Sequence, residues 1–152
     1  RVSGGQMIEG IELVELKIIN IQEGNVYHGM KASDVGYQGF GEAYFSEVKK
    51  GAVKAWKKHS EMTMNLVVPT GEIGFVIFDD RSYSGTQGEF QTLNLSLDNY
   101  RRLTIPPGLW FGFKGLGDRT NLLLNLANIE HDPAEGDRKG IEEIAFDWSK
   151  LI

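Results

Sequence analysis

Apolar positions along the chain fall in short runs separated by Gly, Asn, Asp and Pro, and the pattern reads as β rather than α. Runs of this kind, rich in Val, Ile, Leu and aromatic residues, predict strands. They cover Ile11 to Ile19, Asn25 to Met30, Glu42 to Glu47, Val53 to His59, Met64 to Val68, Ile73 to Phe78, Gly88 to Leu95, Tyr100 to Ile105, Leu109 to Lys114 and Leu122 to Leu126. Ten short strands in 152 residues predict an all-β sandwich or barrel. Only Asp132-Pro133-Ala134-Glu135 has a helical start, with Asp as the N-cap and Pro at the first helical position, and it predicts a brief helix. Phe146-Asp147-Trp148 is expected to be an aromatic clip that closes the barrel. Without a repeat, linker or low-complexity tract, residues 1–152 are expected to form one domain.

Composition narrows the function classes. A net charge of −5 argues against non-specific attraction to nucleic acid or anionic lipid, both of which need a basic surface. No cysteine is present, so neither a disulfide framework nor thiolate chemistry is expected. The longest apolar runs, such as Leu122-Leu123-Leu124, are too short to cross a bilayer, and no secretory leader is read at the start. A soluble, cytoplasmic protein with neither nucleic-acid nor membrane partners is expected. Asp79-Asp80-Arg81 does not suggest paired acid and base, because neighbours on a strand point to opposite faces, and a strand-end ion pair is expected.

Two segments carry candidate chemistry. Gly51 is followed by five residues and then Lys57-Lys58-His59, and later Pro106-Pro107-Gly108 precedes Leu109, Trp110 and Phe111. This arrangement resembles the two halves of a cupin site, in which a glycine, five residues and His-x-His are followed by a Glu, and a later Pro-x-Gly by a His. The resemblance implies a jelly-roll barrel with a short C-terminal helical or turn segment. Of the four usual ligands only His59 remains, and mononuclear sites need three or four converging donors, so no metal and no other cofactor is expected. A period of two places Lys57 and His59 on one face, expected to be the inward one.

Further segments extend the likeness from about Asn25 to Trp148. They include Phe40-Gly41-Glu42-Ala43-Tyr44-Phe45, Lys54-Ala55-Trp56-Lys57, Val76-Ile77-Phe78-Asp79-Asp80-Arg81, Leu97-Asp98-Asn99-Tyr100 and Ile105-Pro106-Pro107-Gly108. Together they resemble the dTDP-4-dehydrorhamnose 3,5-epimerases, metal-free cupins of deoxysugar biosynthesis. The resemblance implies a homodimer and a nucleotide-linked 4-keto-6-deoxyhexose as substrate. It also implies proton removal beside the C4 ketone and return of a proton on the other face.

At the family's catalytic positions this chain differs. Lys57 stands in place of the base His, Met64 of the oxyanion Lys, Phe111 of a second His and Asn125 of the donor Tyr, and no counterpart of the Asp that holds the base is found. Two readings of Lys57 and His59 stay open. In one they share base and electrophile roles with one proton between them, since burial lowers a lysine pKa and His titrates near neutrality. In the other, Lys57 and Lys58 are a solvated pair and His59 bonds to backbone.

Asn65 and Asn125 lie inside apolar runs and each needs a partner, either backbone or a sugar oxygen. Tyr44 and Trp110 are expected to wall the ligand, with Trp56 in the core or at the dimer contact. The resemblance implies that Lys54 meets the diphosphate and Glu42 the nucleoside. The expected activity is epimerisation, at C3 alone or at C3 and C5, for O-antigen or another surface polysaccharide. Ketoisomerisation of the same substrate class, or an inactive cupin that binds a nucleotide sugar or a partner enzyme, are the alternatives.

Overall fold

The structure is a computed structural model that describes residues 7–152. Two five-stranded antiparallel sheets face each other, with strands numbered in chain order. The first sheet runs β1 (Glu12–Glu15), β9 (Arg101–Ile105), β6 (Met64–Thr70), β11 (Leu122–Ala127) and β4 (Glu42–Glu47). The second runs β12 (Gly136–Arg138), β5 (Val53–His59), β10 (Trp110–Gly115), β7 (Glu72–Phe78) and β8 (Phe90–Ser96). A hairpin of β2 (Ile18–Ile19) and β3 (Val26–Tyr27) stands apart. The expected jelly-roll cupin is therefore present.

Alternation along the strands decides what lies between the sheets. Met64, Leu66 and Val68 of β6 point inward against Ile73, Phe75 and Ile77 of β7, Leu93 and Leu95 of β8 and Phe113 of β10. The second sheet is buried on both faces. Its outer face carries Trp56, Val76 and Trp110, covered by Ile144, Trp148 and Leu151. This explains why β7 reads as a nearly continuous apolar run. The covering segment comes so close that a Cβ on Gly112 would lie 3.0 Å from Trp148 Cη2 and 2.6 Å from Ala55 Cβ.

Several expectations change in detail. The run from Ile11 to Ile19 breaks into β1 and β2. The helix expected at Asp132 is a turn, in which the Asp132 carboxylate accepts the Ala134 N–H at 3.0 Å. Directly after it Gly136–Arg138 pairs with His59, Lys58 and Lys57, so the free edge of β5 draws the chain into a strand. Short 3₁₀ turns at Ile141–Glu143 and Trp148–Lys150 supply the C-terminal helical segment. The Phe146–Trp148 clip packs on the outside of the second sheet instead of closing the barrel. Asp79 forms the expected strand-end ion pair, accepting from Arg81 Nε at 2.9 Å and from the Ser84 and Thr86 hydroxyls at 2.6 and 2.7 Å.

Candidate functional site

Between the sheets lies a cavity of about 450 Å³, in the size range that holds a small molecule. Its two walls differ. From the second sheet come Lys57, His59, Phe111 and Phe113, and from the first come Tyr44, Met64, Leu66 and Asn125. Arg138 and Lys139, at the end of β12, join Lys54 to make part of the lining cationic despite the net charge of −5.

Lys54 and Lys57 are three residues apart, which on a regular strand would place them on opposite faces. A bulge in β5 brings both to the cavity. Lys57 pairs with Phe111 and Ala55 with Gly112, so Trp56 is the extra residue, and Lys54 pairs with inward Phe113. Val53, Ala55 and Trp56 pack toward the outer layer.

His59 is the most constrained polar group in the cavity. Its side chain is 4% exposed, its ring lies against Phe111 at 6.0 Å between centroids, and its Nδ1 is 2.6 Å from Glu135 Oε1. The other carboxylate oxygen, Oε2, accepts the backbone N–H groups of Glu61 at 2.9 Å and Met62 at 2.8 Å. Burial alone would raise the Glu135 pKa, but the bonds from Glu61, His59 and Met62 outweigh it and bring it to about 2. Burial lowers the pKa of His59 in turn, and with the charges of Lys57 and His131 it outweighs the bond and charge of Glu135, which raise it. The imidazole is thus neutral near pH 7 and faces an ionised, acceptor-only carboxylate. Nδ1 therefore carries the proton and donates it to Glu135, which leaves the lone pair on Nε2. Nε2 is buried and has no hydrogen-bond partner among the described residues.

Lys57 sits beside it on the same wall. Burial lowers its pKa and the neighbouring Arg138 lowers it further, with Glu135 and Glu42 opposing. Lys58 points the other way, with Nζ 3.3 Å from Asp80 Oδ1 and 4.8 Å from the centre of the Trp110 ring. The solvated-pair reading therefore fails for geometric reasons, since adjacent lysines project from opposite faces of β5. The His59 ring is bonded to a carboxylate and not to backbone.

The remaining expected residues divide. Asn125 and Tyr44 are cross-strand partners that both face the cavity, and Asn125 Nδ2 donates to the Tyr44 hydroxyl oxygen at 3.0 Å. Asn125 Oδ1 is buried without a partner among the described residues. Lys54 lies at an exposed part of the lining, donating to the Glu47 carbonyl at 2.7 Å and the Ser46 hydroxyl at 3.2 Å. Glu42 is outside the lining, where its Oε1 accepts the His131 N–H at 3.1 Å.

Two expectations are corrected. Asn65 is on the far side of β6 from inward Met64 and Leu66. There its Nδ2 donates to the Gly36 carbonyl at 3.0 Å and its Oδ1 accepts from the Thr104 hydroxyl at 2.6 Å. It fastens the Gly36 loop to the outer face of the first sheet. Trp110 is likewise turned outward, because its neighbour Phe111 points in, and its Nε1 donates to Asp80 Oδ2 at 2.9 Å. Trp56 is core, 2% exposed, with Nε1 donating to the Ile141 carbonyl. Glu135 and Arg138 were not anticipated. Glu135 is 76 residues from His59 in a segment that reads as a polar turn, and no motif spacing joins the two.

A jelly roll whose cavity sets a carboxylate-held imidazole beside a lysine has the form of a proton-transferring cupin. Among the described residues, no three His, Cys, Asp or Glu side chains are grouped to hold a metal ion. The chain belongs to the dTDP-4-dehydrorhamnose 3,5-epimerase family, whose family model matches residues 7–152. It is 32% identical over 151 residues to the probable low-salt glycan biosynthesis epimerase Agl13 of Haloferax volcanii, covering 95% of this chain and 97% of that one. Spore coat polysaccharide biosynthesis protein SpsL of Bacillus subtilis is 27% identical over 147 residues, covering 94% and 97%. The crystal structure of a dTDP sugar isomerase from Desulfovibrio desulfuricans G20 superposes with a TM-score of 0.90 at 39% identity, covering 95% and 96%.

Proposed function

We propose that this chain is a metal-free nucleotide-sugar epimerase that inverts C3 of a nucleotide-linked 4-keto-6-deoxyhexose. The observation that carries the reading is the buried, unpartnered Nε2 of a neutral His59 whose tautomer Glu135 fixes. A lone pair of this kind accepts a proton from carbon. The C3–H bond breaks toward Nε2, and its electrons move into the C4 carbonyl as an enolate. Lys57, on the same wall, supplies the positive partner for the developing oxyanion. Lys54 and Arg138 face the diphosphate as cationic groups on the lining.

The product serves a surface polysaccharide such as O-antigen, made in the cytoplasm. Two copies pair through the outer side of the first sheet and the loop before β4, where Phe45 and Phe40 are 63% and 66% exposed. No helix among the described residues is long and apolar enough to cross a membrane.

The test uses dTDP-4-keto-6-deoxyglucose in D₂O, followed by proton NMR. The wild-type protein is expected to place deuterium at C3 and accumulate the inverted sugar, and His59→Ala to lose both by about 100-fold or more. A thermal shift with the nucleotide sugar but no exchange defeats this reading in favour of a binding protein. Movement of the ketone to a neighbouring carbon defeats it in favour of a ketoisomerase.

A further inference from the structure

Inversion needs a second group. A proton taken by His59 and returned by His59 restores the original configuration, so the new proton has to come from the other wall of the cavity. That wall is built by β4, β6 and β11, and its side chains are Tyr44, Ser46, Met64, Leu66, Leu123 and Asn125. Only Tyr44 and Ser46 carry a hydrogen that can be transferred as a proton. The Ser46 hydroxyl oxygen receives Lys54 Nζ, and an aliphatic hydroxyl is a much weaker acid than a phenol. Tyr44 is different in its setting as well. Asn125 directs an N–H at the phenol oxygen from the paired position on β11, which leaves the phenol hydrogen free to point elsewhere.

We propose that Tyr44 is the catalytic acid on the face opposite His59, and that Asn125 is the residue that positions it. This rests on the epimerase reading above. The step balances without a further reactant. The Tyr44 O–H bond breaks, the proton bonds to C3 of the enolate from the face opposite the one His59 deprotonated, and the enolate electrons re-form the C4 carbonyl. Tyr44 is left as phenolate, with the Asn125 N–H already directed at the oxygen that carries the charge, and His59 is left as imidazolium. Net transfer of one proton from His59 to Tyr44 through solvent resets both. The route to solvent is open on this side, since Tyr44 is 41% exposed.

The relation between Tyr44 and Asn125 also accounts for Asn125 among the leucines of β11. An amide in a wall of Leu123 and Leu66 is costly to bury, and one of its two polar ends is used on the phenol.

Exchange and inversion, read separately in one NMR experiment, test this. Substrate in D₂O is followed for deuterium entering C3 of the starting sugar and for formation of the inverted sugar. With Tyr44→Phe, deprotonation and return by His59 continue, so deuterium enters the starting sugar within a few-fold of the wild-type rate of proton removal. Formation of the inverted sugar falls by about 100-fold or more. Asn125→Ala, whose Tyr44 is present but unsupported, lowers inversion by a smaller factor and leaves exchange unchanged. A merely structural role for Asn125 would lower exchange and inversion together. Inversion by Tyr44→Phe at the wild-type rate overturns the assignment, as does equal loss of exchange and inversion, which would make the ring a binding surface only. Failure of the wild-type protein itself to exchange or invert is a different result, since it removes the epimerase reading and Tyr44's role with it.

Discussion

The two faces of β5 differ in whether their polar groups have partners. On the outer face Trp56 donates to the Ile141 carbonyl, and Lys58 reaches Asp80, which also receives Trp110. On the cavity face His59 Nε2 has no partner, and across the cavity Asn125 Oδ1 has none either. Groups left unsatisfied in a buried place lower stability by about 1–3 kcal/mol each, a cost that β5's own side chains bear on the cavity face and not on the outer face, although Trp148 Nε1 in the covering segment is also buried without a partner among the described residues. Stability is concentrated on one side of the strand and reactivity on the other, one residue apart.

That contrast is most strongly challenged by Trp148→Ala. It removes the ring that covers Gly112 and packs on Trp56 at 5.3 Å between centroids. Unfolding in urea should show a loss of about 3–5 kcal/mol, while turnover per folded molecule is retained. A fall in turnover equal to that of His59→Ala would erase the distinction between the faces.

Glu135→Gln tests the cavity side. The amide no longer enforces a proton on Nδ1, and exchange into substrate should fall by about 10- to 100-fold at all pH values. Because Glu135 holds the His59 pKa up against burial, the acid limb of the rate profile should also move to lower pH. Stability has its own signature. His59 is lowered from 6.5 and Glu135 from 4.5 to about 2 in the folded protein. The unfolded chain therefore binds protons that the native one does not as pH falls below each unfolded value. Both contributions are present above about pH 6.5 and are lost on acidification, the carboxylate's share between about 4.5 and 2. Urea midpoints measured from pH 7 to 3 should fall less steeply in Glu135→Gln than in the wild type.

Lys58→Ala should do least. Its ion pair with Asp80 is partly exposed, such pairs contribute about 0–1 kcal/mol, and a melt should move by a few degrees at most. Turnover should be unchanged, whereas Lys57→Ala should lower it by about 100-fold. Equal effects at these adjacent positions would show that alternation does not separate the two roles.

Much of the fold is legible in the sequence because punctuation is dense. β4 and β5 begin and end where the apolar runs do, with glycines at positions 41 and 51 before them. β12 is not legible, since Gly-Asp-Arg has no strand preference of its own and pairs through backbone alone. In the site, the cavity positions of Lys57, His59, Tyr44 and Asn125 follow from alternation. Asn65 and Trp110 are misassigned without it, although their inward neighbours Met64 and Phe111 carry the correct parity. Glu135 lies beyond any local rule. The available signal is physical: a buried His requires a partner, and an acidic residue in a turn distant in sequence can provide one.

The bulge at Trp56 gives β5 two reading frames. Before it, alternation sends Lys54 to the cationic part of the cavity, and after it sends Lys57 and His59 to the wall beside Phe111. Straightening the bulge with Trp56 taken into the regular pairing would turn Lys54 outward and leave Lys57 and His59 in place, whereas deleting Trp56 would leave Lys54 and Lys57 two apart and on one face. The strand is thus modular along its length: its cationic stretch and the stretch that carries the imidazole can diverge separately, because a change of phase in one does not propagate into the other.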